Sequence, residues 1–549
     1  MEQVQSLEEI QNFKGKYPKQ LWYLFLVEMW ERFTFYGMRA LLGLYISHLI
    51  LSANYHPLPT NELAQKVQQF SIDNKEVLSE SHPRYYIETS QQKDRDHAEG
   101  ISNKQYGLIQ AFIYAMAFLG GMFADKLFGF RKSIFWGGVL MAIGTFMMAL
   151  HGSLYFYLGI SILIVGNGFF KPNISTMVGS LYKEGDPRRD AGFSLFYSGI
   201  NLGALLSGLT IAWIGTSYSW SLGFFLAGVC MLLGLGLFIF TQKSLGPIGL
   251  PPTAEKLTIK SFGIKRELLY YLASLLFIPF FFFLVYYPFE VKIGKNDVPF
   301  SDLFMWIVAL IIIVYLVYTL IQVAKEEFSK LLAAVILIIF SVIFWSFFEQ
   351  GGGSLNFFAV GNVESHGLNM TSVNNSINAL WVVLLGPIIG MVWITLSKKN
   401  KEPNTIVKFG LGFVFLGLGF LIFYMSKNYS NELGKTPLLL FCLAYLVLSI
   451  GELCLSPIGL SMVTKLSPKR FVGVMMGTWF LASAYGQYGA GLIGKALSGS
   501  GVEGVNLNNF QKLVQYTSGY YTIALISIGA GFLLIIISPI MKKLMGDVK

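Results

Sequence analysis

Seven ionisable side chains stand inside stretches of sequence that are otherwise apolar: Glu28, Glu31, Arg32, Arg39, Lys171, Glu349 and Glu452. An ionisable residue in hydrocarbon costs at least ~2.5–3.5 kcal/mol, so its default explanation is function. Helical spacing gathers these residues. Offsets of 0, 3, 4 and 11 from Glu28 place Glu28, Glu31, Arg32 and Arg39 within about 100° of arc at ~3.6 residues per turn. Phe35 and Tyr36 share that stripe. Asn167, Lys171 and Ser175 follow an i, i+4, i+8 line; Trp345, Glu349 and Asn356 align, as do Ser449, Glu452 and Ser456. Lipid would not accept such stripes, so they must meet each other or water. Four carboxylates face three cations, and a dry site favours taking up one proton to balance the excess. This is the chemistry of holding a charged solute and moving a proton. Chemistry of other kinds lacks its residues: no metal-spaced His/Cys cluster, nucleophile elbow or phosphate loop is visible. His48, His56, His82, His97, His151 and His366 are scattered at loops or span ends. No cofactor or metal is expected, and the chain reads as a non-enzyme. A channel is disfavoured because charges of both signs would bind ions rather than pass them.

The elements that position these residues follow from composition. Of 549 residues, 54% are hydrophobic and 13% charged, against roughly 25% charged in soluble domains. Such a chain buries most of its outer surface in lipid, which excludes a soluble enzyme, a disordered hub and a nucleic-acid-binding domain. Fourteen stretches are long and apolar enough to span, near 21–50, 104–125, 133–151, 154–182, 190–215, 220–241, 267–289, 302–324, 331–359, 374–396, 405–426, 436–464, 471–496 and 516–541. The even count places both termini on one side. Sorting the 41 Lys and Arg puts 26 on the side of the termini, 12 opposite and three within spans. By the positive-inside rule both termini are expected in the cytoplasm, which accounts for the net charge of +10 without nucleic acid. Cys230, Cys442 and Cys454 lie in apolar runs and read as buried small hydrophobes. The first twenty residues are polar and read as no cleavable signal peptide. The charged segment 51–103 reads as a solvated insertion with a short helix near Glu62–Phe70.

Spans 7 and 8 carry no charges on this reading. With them set aside, the charged spans become 1, 4, 7 and 10 of twelve, one in every three. Transporters built from three-helix repeats place such equivalent helices around a central site. The expected architecture is therefore an all-α membrane protein: an N-terminal six-helix bundle (1–241, with loop 51–103 on the extracytoplasmic side), a linker with two additional helices (242–330) and a C-terminal six-helix bundle (331–549). Lys171-Pro172, Gly386-Pro387 and Ser456-Pro457 each put Pro inside a span, where it removes a backbone hydrogen bond and kinks the helix.

Several stretches resemble one known family. EMWERFTFYGMRA (28–40) resembles the ExxERFxYYG signature of the proton-dependent oligopeptide transporter family, of the major facilitator superfamily. GGMFADKLFGFRK (120–132) resembles the superfamily's motif between helices 2 and 3. GNGFFKPNIS (166–175), FYSGINLGA (196–204), FWSFFEQGGGSLN (344–356) and GELCLSPIGLSMVTKLSP (451–468) resemble the family's segments in helices 4, 5, 7 and 10. The matches run in order over nearly the whole chain. Bacterial members carry two extra helices between the halves, which fits spans 7 and 8. Phe35 stands where the signature has its first tyrosine, and no histidine occurs at 104–125, where animal members use one.

The resemblance implies a proton-coupled symporter that imports di- and tripeptides by alternating access across the bacterial inner membrane; the alternative on the same fold is a proton-coupled carrier of another small anion or drug-like solute. The residues suit peptides. Arg32 and Lys171 can hold a carboxylate, Arg32 through two parallel hydrogen bonds. Glu452 can hold an amine, and Asn201 and Asn378 can accept from that amine or bond the peptide amide. Tyr36, Tyr114, Trp345 and Trp479 would wall side-chain pockets that discriminate weakly. Glu28 and Glu31, beside Arg32, read as proton and salt-bridge partners. Glu349 reads as a main proton site that pairs with Arg39 when one gate is closed. Asp125 and the basic residues after it read as a conformational latch. The expected partners are small peptides, protons and membrane lipid.

Overall fold

The computed structural model describes residues 6–252, 257–261, 263–286, 289–455, 459–468, 472–499 and 508–546. Each of the fourteen expected spans is helical where it is described, although the one at 267–289 consists of two short helices, Arg266–Leu275 and Phe277–Tyr286. Among the described residues, twelve helical stretches are long and apolar enough to cross a membrane. One of them, Gln92–Met148, carries two expected spans joined through a π-helical turn at Ala124–Phe128. The Val472–Leu497 helix covers the span read at 471–496. The described strands form two antiparallel hairpins, Lys260–Ser261 with Ile264–Lys265 and Glu290–Ile293 with Asn296–Pro299. The chain packs as two compact units, Met1–Leu41 with Phe112–Pro288, and Leu42–Ala111 with Phe289–Lys549.

In the first unit, the Gly129–Met148 and Ser153–Ser180 helices meet along small residues. A Cβ on Gly144 would lie 2.6 Å from the Gly159 carbonyl oxygen, so the backbones approach as small-residue stripes allow in membranes. Leu24, Val27, Met141, Phe170, Ile174, Met231 and Phe238 fill the core beside them. Ser153–Ser180 runs without interruption through Pro172, as Met370–Lys398 of the second unit does through Pro387. Ser456-Pro457 lies outside the described residues. Departures from α geometry among the described residues fall elsewhere, at the π-helical turns Ala124–Phe128 and Gly208–Ala212 and at the 3₁₀ turns Gln242–Leu245, Glu349–Gly352 and Lys427–Tyr429.

The second unit corrects two expectations. Segment 51–103 is not simply solvated. Its helix Thr60–Asn74 encloses the expected Glu62–Phe70, a short helix Tyr85–Thr89 follows, and Phe70, Leu78 and Arg84 are buried. The next helix begins at Gln92, twelve residues before the hydropathy signal at 104, because its first turns are polar and hydropathy registers lipid contact rather than helicity. Those turns are docked. Lys512 Nζ lies 2.6 Å from Glu99 Oε1 and 3.0 Å from Asp96 Oδ1, and the Tyr516 hydroxyl donates to Glu99 Oε2 at 2.9 Å. Nor is span 8 free of charge. Asp302, in the first turn of the Phe300–Gln322 helix, is buried, pairs with Lys104 and accepts from the Tyr488 hydroxyl at 2.8 Å. Gly491 lets the Val472–Leu497 helix close on Gly107, where a Cβ would stand 2.9 Å from the Gly107 Cα.

Candidate functional site

In the first unit the Lys19–Ala53 helix delivers Glu28, Glu31 and Arg32, all at most 2% exposed. Arg32 is gripped bidentately by its chain neighbour: Nε to Glu31 Oε2 at 2.5 Å and Nη2 to Glu31 Oε1 at 2.8 Å. Glu28 Oε1 stands 3.2 Å from the same Nε. Adjacent helix residues point about 100° apart, but two long side chains folded back along the groove can still meet. Asn167 of the Ser153–Ser180 helix donates to Glu31 Oε1 at 3.0 Å, so the i, i+4 line of Asn167 and Lys171 brings that helix to the carboxylates. Lys171 places its ammonium 3.9 Å from the Tyr114 ring centroid, a cation–π contact. Arg39 lies over Tyr36, guanidinium to centroid 5.8 Å. Arg32 thus has two of its three nitrogens committed to Glu31, and gripping a ligand carboxylate with both would require Glu31 to release it. Glu28 Oε2 is buried without a hydrogen-bond partner among the described residues.

Two predicted residues of this unit stand apart from that cluster in their recorded bonds. Asn201 donates to the Tyr197 carbonyl of its own helix at 3.0 Å. Asp125 is exposed on the Ala124–Phe128 turn, while the basic residues after it do the fastening. Arg131 donates from Nε to the Ile248 carbonyl at 2.7 Å and from Nη2 to that of Gly246, and Lys132 reaches Glu267 at 2.5 Å.

The second unit has its own polar cluster. Asn378 Nδ2 donates to Glu452 Oε2 and to Ser449 Oγ, both at 3.0 Å. Glu452 is 8% exposed and sits near the end of the Leu438–Leu455 helix. Trp345 packs against Gly486, where a Cβ would lie 2.7 Å from the Trp345 Cβ; Trp479 is half-buried one turn before Ser483. Glu349 is buried at the point where the Lys325–Phe348 helix tightens into its 3₁₀ turn.

A scan against protein families matches the description "POT family" over residues 131–509. A transporter of Bacillus subtilis named as uncharacterised is 34% identical over 97% of this chain and 96% of its own. A di-/tripeptide transporter of Lactococcus lactis subsp. cremoris is 31% identical over the full length of both. The chain belongs to the POT family. A crystal structure of the peptide transporter POT in complex with sulfate superposes with a TM-score of 0.74 at 29% identity, over 98% of this chain and 99% of that one. The fold of this POT-family chain is thus the major facilitator fold expected from its motifs.

Beside Glu452, this POT-family chain holds a network that the sequence reading passed over. Tyr445 donates to Asn374 Oδ1 at 2.6 Å, and Asn374 Nδ2 donates to the Gly351 carbonyl at 2.8 Å and to Asn356 Oδ1 at 3.3 Å. Gln350 Nε2 donates to the Ala490 carbonyl at 3.0 Å and its Oε1 accepts from Ser354 at 2.7 Å. Asn374 and Asn378 are four apart in NMTSVNNSINALW (369–381), which puts two asparagines on one helix face. That signal was available but carried no charge. Gly351-Gly352-Gly353 was the signal for the irregular backbone whose carbonyl Asn374 satisfies.

Proposed function

We propose that this chain imports di- and tripeptides in symport with protons by alternating access across the bacterial inner membrane, with both termini in the cytoplasm. One observation carries the reading: each unit spends buried charge, within helices that cross the membrane, on a group that answers one end of a zwitterion. In the first unit Arg32 and Lys171 are matched to a carboxylate. In the second, Glu452, held in place by Asn378 and Ser449, is matched to an amine. Tyr36, Tyr114, Trp345 and Trp479 supply apolar walls, and Asn201 and Asn378 supply amide-scale hydrogen bonding. Glu28, whose Oε2 is buried without a hydrogen-bond partner among the described residues, is the group of this cluster placed to take up a proton beside Arg32 and Glu31. Glu349 serves as a main proton site. Asp125 and the basic residues after it act as a conformational latch. The proton is the coupling ion, and no organic cofactor or metal takes part. The naming of the Lactococcus lactis relative as a di-/tripeptide transporter supports the substrate class.

The test is uptake of labelled dipeptides into proteoliposomes with and without an inward proton gradient. Gradient-stimulated uptake is expected. Failure to accumulate any member of a mixed peptide library would overturn the reading and favour another small anion or drug-like solute on the same fold.

A further inference from the structure

The segment that follows the first spanning helix lines an open cleft of about 1110 Å³ lying wholly in the second unit. That is the size of a small-molecule site rather than of a packing defect. Its lining includes Lys66, Arg84, Glu88 and Arg95 from the inserted segment, and Lys435 from the loop before the Leu438–Leu455 helix.

The charges in it do not balance. Glu88 is the hub: Lys66 Nζ lies 3.0 Å from its Oε2, Arg84 pairs with its other oxygen, and Arg95 Nη1 donates to its backbone carbonyl at 2.9 Å. Burial alone pushes the Glu88 carboxyl up, but Lys66, Arg84 and Arg95 outweigh it and hold the group well below the usual carboxylate range. Lys435 feels Lys66 and Arg84 as well as Glu88 and Asp73. The six Lys and Arg of the lining against its five Asp and Glu leave one positive charge in excess.

Two of the donors are under-used. The Lys435 ammonium has three hydrogens to give, and its recorded acceptor is the Val360 carbonyl, at a long 3.4 Å. Arg84 Nε is buried without a hydrogen-bond partner among the described residues. Burial, and then the neighbouring cations, bring the Lys435 amine down to about 8. Its backbone is held in place, with the amide donating to Asn431 Oδ1 at 3.0 Å and the carbonyl accepting from the Asn431 amide at 2.9 Å. A half-buried ammonium on a fixed loop, short of acceptors and facing other cations, is costly as scaffolding. It is suited to receiving an anion.

We propose that this cleft is a vestibule that captures a small peptide by its carboxylate, on Lys435, before transport. Glu62 and Glu364, also in the lining, offer the counter-charge for the peptide's amine, which is why a zwitterion fits better than a plain anion. The inference rests on the peptide-import reading for its ligand class.

Three measurements test it. Acetylation of Lys435 in the detergent-solubilised full chain, followed by mass spectrometry at pH 8, reads the site without transport. The dipeptide Ala-Ala should slow labelling at least several-fold, whereas Ala-Ala amide and equimolar chloride or phosphate should not. Equal protection by chloride or phosphate would reduce the cleft to a general anion site and overturn the proposal, as would no protection by any of them. In proteoliposomes, Lys435→Gln should raise KM for Ala-Ala about 10-fold, the loss of one charge-assisted hydrogen bond, with kcat kept. An unchanged KM would also overturn it. Lys435→Met should melt no lower than the parent, which separates a binding lysine from a structural one; a marked fall in melting temperature would overturn the assignment. Protection by Ala-Ala in a protein that transports no peptide would leave the vestibule standing and remove the transport reading instead.

Discussion

Lys512 is the most exacting place to test the energetics. Its ammonium stands 2.6 Å from Glu99 and 3.0 Å from Asp96, and all three side chains are at most 11% exposed. The triad sums to −1. Lys512→Met keeps most of the volume but strands two adjacent carboxylates, and removing one partner of a buried pair costs about 3–5 kcal/mol. The loss has a ceiling. One carboxyl can escape by taking a proton, which at pH 7.5 costs roughly 1.36 × 3.2, about 4.4 kcal/mol, for an ordinary glutamate. At pH 5.5 the same escape costs only about 1.6 kcal/mol, so the variant's deficit should shrink as pH falls. Glu99→Gln is the counter-perturbation. It keeps an acceptor for Tyr516 and leaves Lys512 neutralised by Asp96, so its cost should stay below about 1.5 kcal/mol, the worth of a typical hydrogen bond. The assay is thermal unfolding in detergent at one fixed scan rate, since unfolding of large chains is often irreversible. Lys512→Met should fall about 3–4 °C at pH 7.5, at ~2.1 cal/mol/K of unfolding entropy per residue, and adding Glu99→Gln to it should restore more than half of that. A fall that is equal at both pH values, or no rescue by the second substitution, would refute the reasoning and make Lys512 a packing residue.

Four further outcomes follow from the geometry. Glu452→Gln should weaken binding of free-amine peptides roughly 10–150-fold, the loss of a charge-assisted bond of ~1.5–3 kcal/mol, and N-acetylated peptides much less; equal losses in a competition assay would remove Glu452 as the amine partner. Lys171→Ala should abolish dipeptide binding, and dipeptide amides should bind the parent poorly; amides that bind as tightly as free acids would contradict a carboxylate handle. Glu349→Gln should lose accumulation driven by a pH gradient yet retain peptide-for-peptide counterflow, because exchange needs only reorientation of the loaded carrier; retained accumulation would move the coupling proton to Glu28 or Glu31. The depressed Glu88 carboxyl contributes stability that is complete above about pH 4.3 and is lost as pH falls below it. Hydrogen exchange at Tyr85–Thr89, corrected for intrinsic rates, should therefore quicken at pH 3.5, and Glu88→Gln should remove that pH dependence.

What the sequence made legible was whatever a membrane makes expensive. Glu28, Glu31, Arg32 and Lys171 declared themselves by standing in apolar runs, and the structure brings Glu28, Glu31, Arg32 and Asn167 into one cluster and sets Lys171 against Tyr114. Neutral polar residues carry no such penalty in a hydropathy profile, so Asn374, Tyr445 and Gln350 went unremarked although they make some of the best-satisfied buried hydrogen bonds of the second unit. Span ends were misjudged for a related reason. Lys104 and Asp302 sit at the polar margins of their helices, where a charge looks like the beginning of solvent, yet each is the other's partner. The bidentate hold of Glu31 on Arg32 was also beyond reach, because helical phase gives direction while side-chain conformation decides which neighbours meet.

The bond between Lys104 and Asp302 constrains the chain's history. Lys104 belongs to the helix Gln92–Phe123, whereas Asp302 belongs to the helix Phe300–Gln322, in the segment that the sequence reads as an added pair of helices. With side chains 18% and 8% exposed, neither partner is well placed to stand alone. A descendant that lost the additional helices by a clean excision would keep an orphaned ammonium at position 104 and a tyrosine at 488 without its acceptor. An ancestor that gained them with Asp302 already in place, before position 104 was basic, would have carried an orphaned carboxylate. Gain and loss are therefore not mirror images. With the pair in place, removing the helix that carries Asp302 would leave Lys104 and Tyr488 without that carboxylate.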